Sequence, residues 1–208
     1  MLHNGYGITE TSPTIAQTAI DSPRTDTSVG QVFPGVETRI VNRDQLEVVE
    51  GEIGELLVRG PNIMKGYYKN NAETAAAIDE EGWFNTRDLA KLRDGHLFIV
   101  GRTKELIIRF GFNIYPAEVE LVLNAHPDVV RSAVVGRSVA GEEEVIAFVQ
   151  LSQGSRVTAA ELNAYAANRL TPYKQPSQIF IVPEMPTTPT GKVKKGELAK
   201  MFSISPPR

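Results

Sequence analysis

Residues 37–41 carry the period of a strand with one face buried, and Glu55-Leu-Leu-Val-Arg59 reads as a further strand. Asn42-Arg43-Asp44-Gln45 is turn chemistry leading into a further strand-like run at 46–49, and Gly60-Pro61 closes the 55–59 strand. Within 71–79, Ala72, Ala75, Ala76 and Ala77 favour one short helix. Apolar stretches at 89–92 and 96–100 flank Arg93-Asp94-Gly95, a hairpin signal. Residues 29–100 therefore read as a small, mostly antiparallel β unit. The first thirty residues carry no periodic apolar face; Thr, Ser and Asp with Pro13 and Pro23 predict loop.

After Gly101-Arg102 the pattern changes. Pro116 suits the first turn of a helix over 117–126, where Val119, Val122 and Leu123 share one face. Strands are predicted at 129–135 and 145–151. Thr158 and Glu161 form a capping box ahead of a helix running to about Leu170. A short strand at 178–182 and a last helix at 194–201 complete the pattern. The predicted class is α+β, with the small antiparallel unit followed by a compact α+β domain. The boundary is expected at residues 102–105, giving domains 1–102 and 103–208.

Composition adds mainly exclusions. The longest apolar runs, such as 97–100 and 179–182, are too short for a membrane span. No basic-then-apolar leader precedes the first polar stretch, so no secretory signal is expected. The chain has 0 Cys, which rules out disulfides, thiolate metal sites and cysteine nucleophiles, and fits a cytoplasmic location. A net charge of −3 offers no bulk attraction to a nucleic-acid backbone. His3, His96 and His126 lack zinc-type spacing.

Several segments carry a resemblance. Gly5-Tyr-Gly-Ile-Thr-Glu10 resembles the aromatic-Gly-x-Thr-Glu motif of adenylate-forming enzymes, the superfamily of acyl-CoA synthetases, luciferases and peptide-synthetase adenylation domains. Gly54-Glu-Leu-Leu-Val-Arg-Gly60 and Gly66-Tyr67-Tyr68 follow in the family's order. Gly82-Trp-Phe-Asn-Thr-Arg-Asp88 resembles its Gly-Trp-Phe-x-Thr-Gly-Asp. The long stretch from Gly101 to Glu120 is similar to the segment joining the family's two domains, and Pro186-Thr-Thr-Pro-Thr-Gly-Lys192 to its catalytic-lysine loop.

The resemblance implies a C-terminal portion of an acid–CoA ligase that uses a carboxylic acid, ATP with Mg²⁺, and CoA. A carboxylate attacking an α-phosphate joins two anions, so cations and fixed dipoles must offset their repulsion. By resemblance, Lys192 supplies a movable cation, Thr9 bonds a phosphate and Glu10 holds Mg²⁺. Tyr6 and Gly7 belong to the nucleotide site, Tyr6 with its ring against adenine; Asp88 takes the ribose hydroxyls and Arg102 adds a ribose contact. Lys104 is the hinge, and Gly111 lies in the loop lining the pantetheine tunnel.

Plainer readings stand beside these. Lys194, Lys195 and Lys200 make a solvated basic face the alternative for Lys192. Glu10 can cap a turn, Tyr6 can be core, Arg102 can brace the boundary in a salt bridge, and Gly111 can serve a structural turn before Pro116. Arg87 stands where the family usually has Gly, where it either crowds the turn or pairs with Asp88.

No Ser/Thr/Gly-rich phosphate loop occurs in the 208 residues. The expectation is that it belongs to a missing N-terminal half of the same protein, and that the chain alone is inactive. Alternatives are a non-catalytic piece or interaction module, and a domain that loads a carrier protein. Against the last, the chain ends in Ser-Pro-Pro-Arg with no carrier domain following.

Overall fold

The computed structural model describes residues 3–139 and 141–202; the Ser-Pro-Pro-Arg tail lies outside them. Two compact units divide the chain, Met1–Lys104 and Glu105–Arg208. Each has its own apolar core, and the mixed α+β class expected from the sequence is the one adopted.

The first unit opens with three two-residue strands, β1 (Gly5–Tyr6), β2 (Ala16–Gln17) and β3 (Gln31–Val32), paired antiparallel in that order. The loop expected for the first thirty residues thus contains a small sheet, with Ile15 and Ala16 fully buried beneath it. Strands this short carry no alternation for a sequence to display.

An antiparallel meander follows, β4 (Glu37–Val41), β5 (Gly54–Arg59), β6 (Phe84–Arg93) and β7 (His96–Arg102), with helix α1 (Asn71–Ala77) between β5 and β6. In β5, Leu56 and Val58 are buried while Leu57 between them is only partly so, an alternation of burial that the unbroken Leu-Leu-Val run does not display. Asn70 caps α1 by accepting the Glu73 N–H at 3.2 Å. The strand expected at 46–49 is reduced to a single antiparallel bridge, Glu47 opposite Val41. The Asn42 carboxamide accepts N–H groups of Asp44 and Leu46 in an Asx turn, leaving Leu46 and Val49 64% and 68% exposed. Buried Trp83 is stacked by two guanidinium groups, Arg39 at 4.3 Å and Arg59 at 4.5 Å from its ring.

The second unit begins with a hairpin of β8 (Ile107–Arg109) and β9 (Phe112–Ile114). Helix α2 (Pro116–Asn124) follows, with Pro116 in its first turn. Then come β10 (Val129–Val139), β11 (Glu142–Leu151), α3 (Ala159–Ala167), β12 (Gln178–Val182) and α4 (Lys195–Met201). β11 is the central strand, antiparallel to β10 and parallel to β12. It is covered on both faces, which is why Val145 to Val149 read as an unbroken apolar run. Val145, Ala147 and Val149 pack towards α2 and α3, whereas Ile146 and Phe148 pack with Leu198 of α4. The Thr158–Glu161 capping box forms as expected, but α3 stops at Ala167 rather than near Leu170. Among the described residues, no helix is long and apolar enough to cross a membrane.

Candidate active site

Asp88 is placed by an irregularity in β6. The register against β5 shifts between Glu55 and Leu57, so 86–88 bulge opposite Leu56. The Asn85 side chain accepts the Arg87 N–H at 2.7 Å. Thr86 Oγ1 accepts the Asp88 N–H at 3.1 Å and donates to the Leu56 carbonyl at 2.8 Å. This turns Asp88 inward, 3% exposed, and forces Arg87 to φ 58°, the left-handed region.

Both Asp88 oxygens are engaged. The Tyr6 hydroxyl donates to Oδ2 at 2.5 Å, and Arg102 Nε donates to Oδ1 at 2.9 Å. Burial, then the bond to Asp88 and its charge, push the Tyr6 phenol far above its ordinary pKa, so it stays a neutral donor. Arg102 lies directly across from Asp88 in the β6–β7 register and keeps half its side chain in solvent. The bracing salt bridge considered for Arg102 therefore exists, and its partner is Asp88. Arg87 does not pair with Asp88; its guanidinium points to Glu73 at 3.5 Å.

The Tyr6 segment continues into the other expected site residues. Gly7 is required by space, because a Cβ there would lie 1.5 Å from the Pro13 carbonyl oxygen. Thr9 to Thr11 form a 3₁₀ turn, closed by Thr11 Oγ1 donating to the Ile8 carbonyl at 2.9 Å. Thr9 is exposed and Glu10 half-buried. Glu10 Oε1 accepts the Tyr67 hydroxyl at 3.1 Å, and burial followed by this bond raises the Tyr67 pKa. Among the described residues, no group of three or more His, Cys, Asp and Glu side chains converges to hold a metal ion. A single carboxylate such as Glu10 suits Mg²⁺, which commonly takes one or two protein oxygens and completes its octahedron with phosphate and water.

The remaining candidates belong to the second unit or its edge. Lys192 leaves a tight turn in which Gly191 N–H bonds the Thr188 carbonyl at 2.9 Å and Lys192 N–H bonds Thr188 Oγ1 at 3.1 Å. Its side chain is exposed, with no ion pair among the described residues. Lys194 pairs with Glu197 at 3.0 Å. Lys195 is no solvated lysine: it sits 2.8 Å from Glu120 and 2.9 Å from Glu105. Burial opposes its charge, but the two carboxylates outweigh that and its pKa is raised. Nothing in the lysine-rich sequence signalled this pairing, because Glu105 is 90 residues away.

Lys104 is exposed in a 3₁₀ turn, and the division between units falls directly after it. Gly111, at φ 77°, and Phe110, at φ 53°, are the two residues turning β8 into β9, the conformation of a type I′ hairpin. No Cβ clash constrains Gly111; its backbone angle does. Glu143 and Glu142 accept the Ile108 and Phe110 N–H groups at 2.7 and 3.0 Å, and Arg109 donates to the Gln175 carbonyl at 3.0 Å. Phe112 stacks on Tyr173 with centroids 4.5 Å apart.

Sequence and structure comparisons converge on one class. A family model described as AMP-binding enzyme matches residues 1–68, and one described as AMP-binding enzyme C-terminal domain matches residues 118–192. The chain belongs to this family of adenylate-forming enzymes. Its relatives are acid–CoA ligases. An indoleacetate–CoA ligase of Aromatoleum aromaticum is 39% identical over 201 residues, covering 95% of this chain and 39% of the relative. A 2-succinylbenzoate–CoA ligase of Geobacillus kaustophilus is 38% identical over 204 residues, covering 97% and 41%. Among solved structures, ATP-bound MatB from Rhodopseudomonas palustris superposes with a TM-score of 0.91 at 34% identity, covering 97% of this chain and 40% of that one. MenE from Bacillus subtilis with ATP and magnesium gives 0.84 at 34% identity, covering 94% and 41%. The chain thus spans about two-fifths of the length of these proteins.

Proposed function

We propose that the chain is the C-terminal part of an ATP-dependent acid–CoA ligase. A carboxylate oxygen bonds to the α-phosphorus of ATP as the bridge to the β-phosphate breaks, releasing pyrophosphate. The CoA thiol sulfur then bonds to the acyl carbon, the thiol proton goes to solvent and AMP leaves. The cytoplasm, where ATP and CoA are at hand, is the proposed location.

The observation that carries this reading is the trio Tyr6–Asp88–Arg102. A carboxylate has about four lone-pair sites. With two taken by Tyr6 and Arg102, the rest suit two ribose hydroxyls, and half-exposed Arg102 has donors left for a ribose contact of its own. Tyr6 offers its ring to adenine while its hydroxyl keeps Asp88 aimed, and Gly7 lets the following backbone turn away. The Thr9 hydroxyl donates to a phosphate oxygen. Glu10 keeps one carboxylate oxygen clear of Tyr67 and would hold Mg²⁺ with it, where the ion would supply positive charge to offset that of the phosphates. Lys192 brings an uncommitted ammonium to the attacking carboxylate and the α-phosphate. Domain boundaries of 1–102 and 103–208 put Lys104 in the connection, where an exposed side chain lets the backbone turn without breaking a buried contact. The Gly111 hairpin is assigned to pantetheine.

The test uses the longest native polypeptide carrying this chain, with ATP, Mg²⁺ and a panel of carboxylic acids. Pyrophosphate release is expected with at least one acid, and AMP release should become CoA-dependent. Lys192→Ala should slow pyrophosphate release by on the order of 100-fold. Full release by that variant, or none from the wild type with any acid, would sink the reading. Lacking the phosphate loop, residues 1–208 alone should release no pyrophosphate.

A further inference from the structure

The ionic cluster of Lys195, Glu105 and Glu120 is not used by the chemistry above, yet its members occupy telling positions. Lys195 opens α4 three residues after Lys192, and Glu105 is the first residue after Lys104. Glu120, on α2, also accepts the Val134 N–H at 2.8 Å with the same oxygen that meets Lys195, which fixes it to β10. The cluster is well shielded, with the three side chains 19–35% exposed.

The backbone between Lys192 and Lys195 has little slack. Thr188 N–H bonds the Lys192 carbonyl at 2.8 Å, Lys194 N–H bonds the Pro186 carbonyl at 2.8 Å, and Thr187 bridges Val193. A displacement at Lys195 is therefore passed to the Lys192 turn. We propose that Lys195 is a positioning residue: held jointly by Glu105 and Glu120, it ties the Lys192 turn to the backbone leaving Lys104, so that turn and backbone move as one piece. This rests on the reading of Lys192 as the adenylating cation. The clasp serves the first half-reaction, in which an ammonium must stand within reach of both anions. The thiol step, which makes no use of Lys192, does not need it.

Lys195→Met alone leaves two carboxylates facing each other and risks misfolding. The decisive variant is therefore Lys195→Met with Glu105→Gln and Glu120→Gln, which removes all three charges together. In the longest native polypeptide, this triple variant should lower kcat for pyrophosphate release about 10- to 100-fold. KM for ATP should stay near wild type, and conversion of preformed acyl-adenylate by CoA should change less than twofold. Lys195→Arg, keeping the charge, should restore most of the rate. In residues 1–208, hydrogen exchange at the Thr188, Gly191, Lys192 and Lys194 amides should accelerate several-fold in the triple variant, while β10 and β11 keep their protection.

Wild-type pyrophosphate release by the triple variant overturns the clasp, even if its melting temperature falls, since that leaves only a structural pair. Unchanged exchange in the Lys192 turn overturns it whatever the activity. A Lys192→Ala enzyme with normal pyrophosphate release would instead overturn the adenylating role of Lys192, and the exchange result would still decide the clasp.

Discussion

Arg87 holds a left-handed backbone that only glycine adopts freely, at φ 58°. Strain of about 1–2 kcal/mol is expected for an L-residue there, against about 0.4–1 kcal/mol of unfolded-chain entropy that an arginine saves over glycine. The Glu73 contact is exposed and long, and adds little. Taking the middle of each range, about 1.5 and about 0.7 kcal/mol, Arg87→Gly should therefore stabilise the chain by about 0.8 kcal/mol. A urea midpoint by circular dichroism that stays put or falls would contradict this. Gly7→Ala should do the opposite, because its Cβ would overlap a backbone carbonyl that cannot step aside. A loss of about 1–3 kcal/mol is the usual cost of such overpacking, read from the same curve. At this scale the sequence named candidates by resemblance but hid their partners. Tyr6 was readable as an aromatic face, yet its hydroxyl meets Asp88 82 residues away. Lys195 looked like one of several solvated lysines until Glu105 and Glu120 were beside it.

Among elements, the β8–β9 hairpin combines strain with exposure. Phe110 is left-handed and 62% exposed, a costly place for an aromatic ring, and such strain is commonly kept where function requires it. Asn tolerates this conformation better. Phe110→Asn should raise thermal stability by a degree or two and raise KM for CoA several-fold, leaving pyrophosphate release unchanged. A higher KM for ATP instead would remove the hairpin from the thiol step. The α3 capping box gives a pH-dependent counterpart. Hydrogen bonds from the Thr158 backbone and side chain hold the Glu161 carboxyl below its usual pKa. A depressed carboxyl contributes stability above its unfolded pKa of about 4.3 and loses it as pH falls through the lower folded value. Thr158→Ala should cost about 1 kcal/mol at pH 7, and the deficit should shrink below pH ~4 as Glu161 protonates in both chains. A deficit independent of pH would deny the carboxylate its part. Helices and long strands were legible because their periods span several residues. The bulge that extends β6 back to Phe84 was not, since side-chain bonds from Asn85 and Thr86 replace the regular ladder there.

For the whole chain, the separation of cores matters most. Every buried residue of the clusters around β11 lies in Glu105–Arg208, and the cluster beneath the meander lies in Met1–Lys104. A unit with its own core can fold alone. Residues 105–208 expressed separately should melt cooperatively and protect the β11 amides; a non-cooperative melt would show that the second unit needs the first. The change in sequence character at Gly101-Arg102 lies within three residues of the division between the units after Lys104.

Trp83 is the chain's one tryptophan, and it is buried in the first unit between two arginines. Light that excites indole selectively therefore sees Met1–Lys104 and is blind to the rest. With no label added, the emission spectrum of this ring is a private optical signal of one half of the molecule. Any disagreement between that signal and the far-ultraviolet dichroism of the whole chain records the unfolding of the other half.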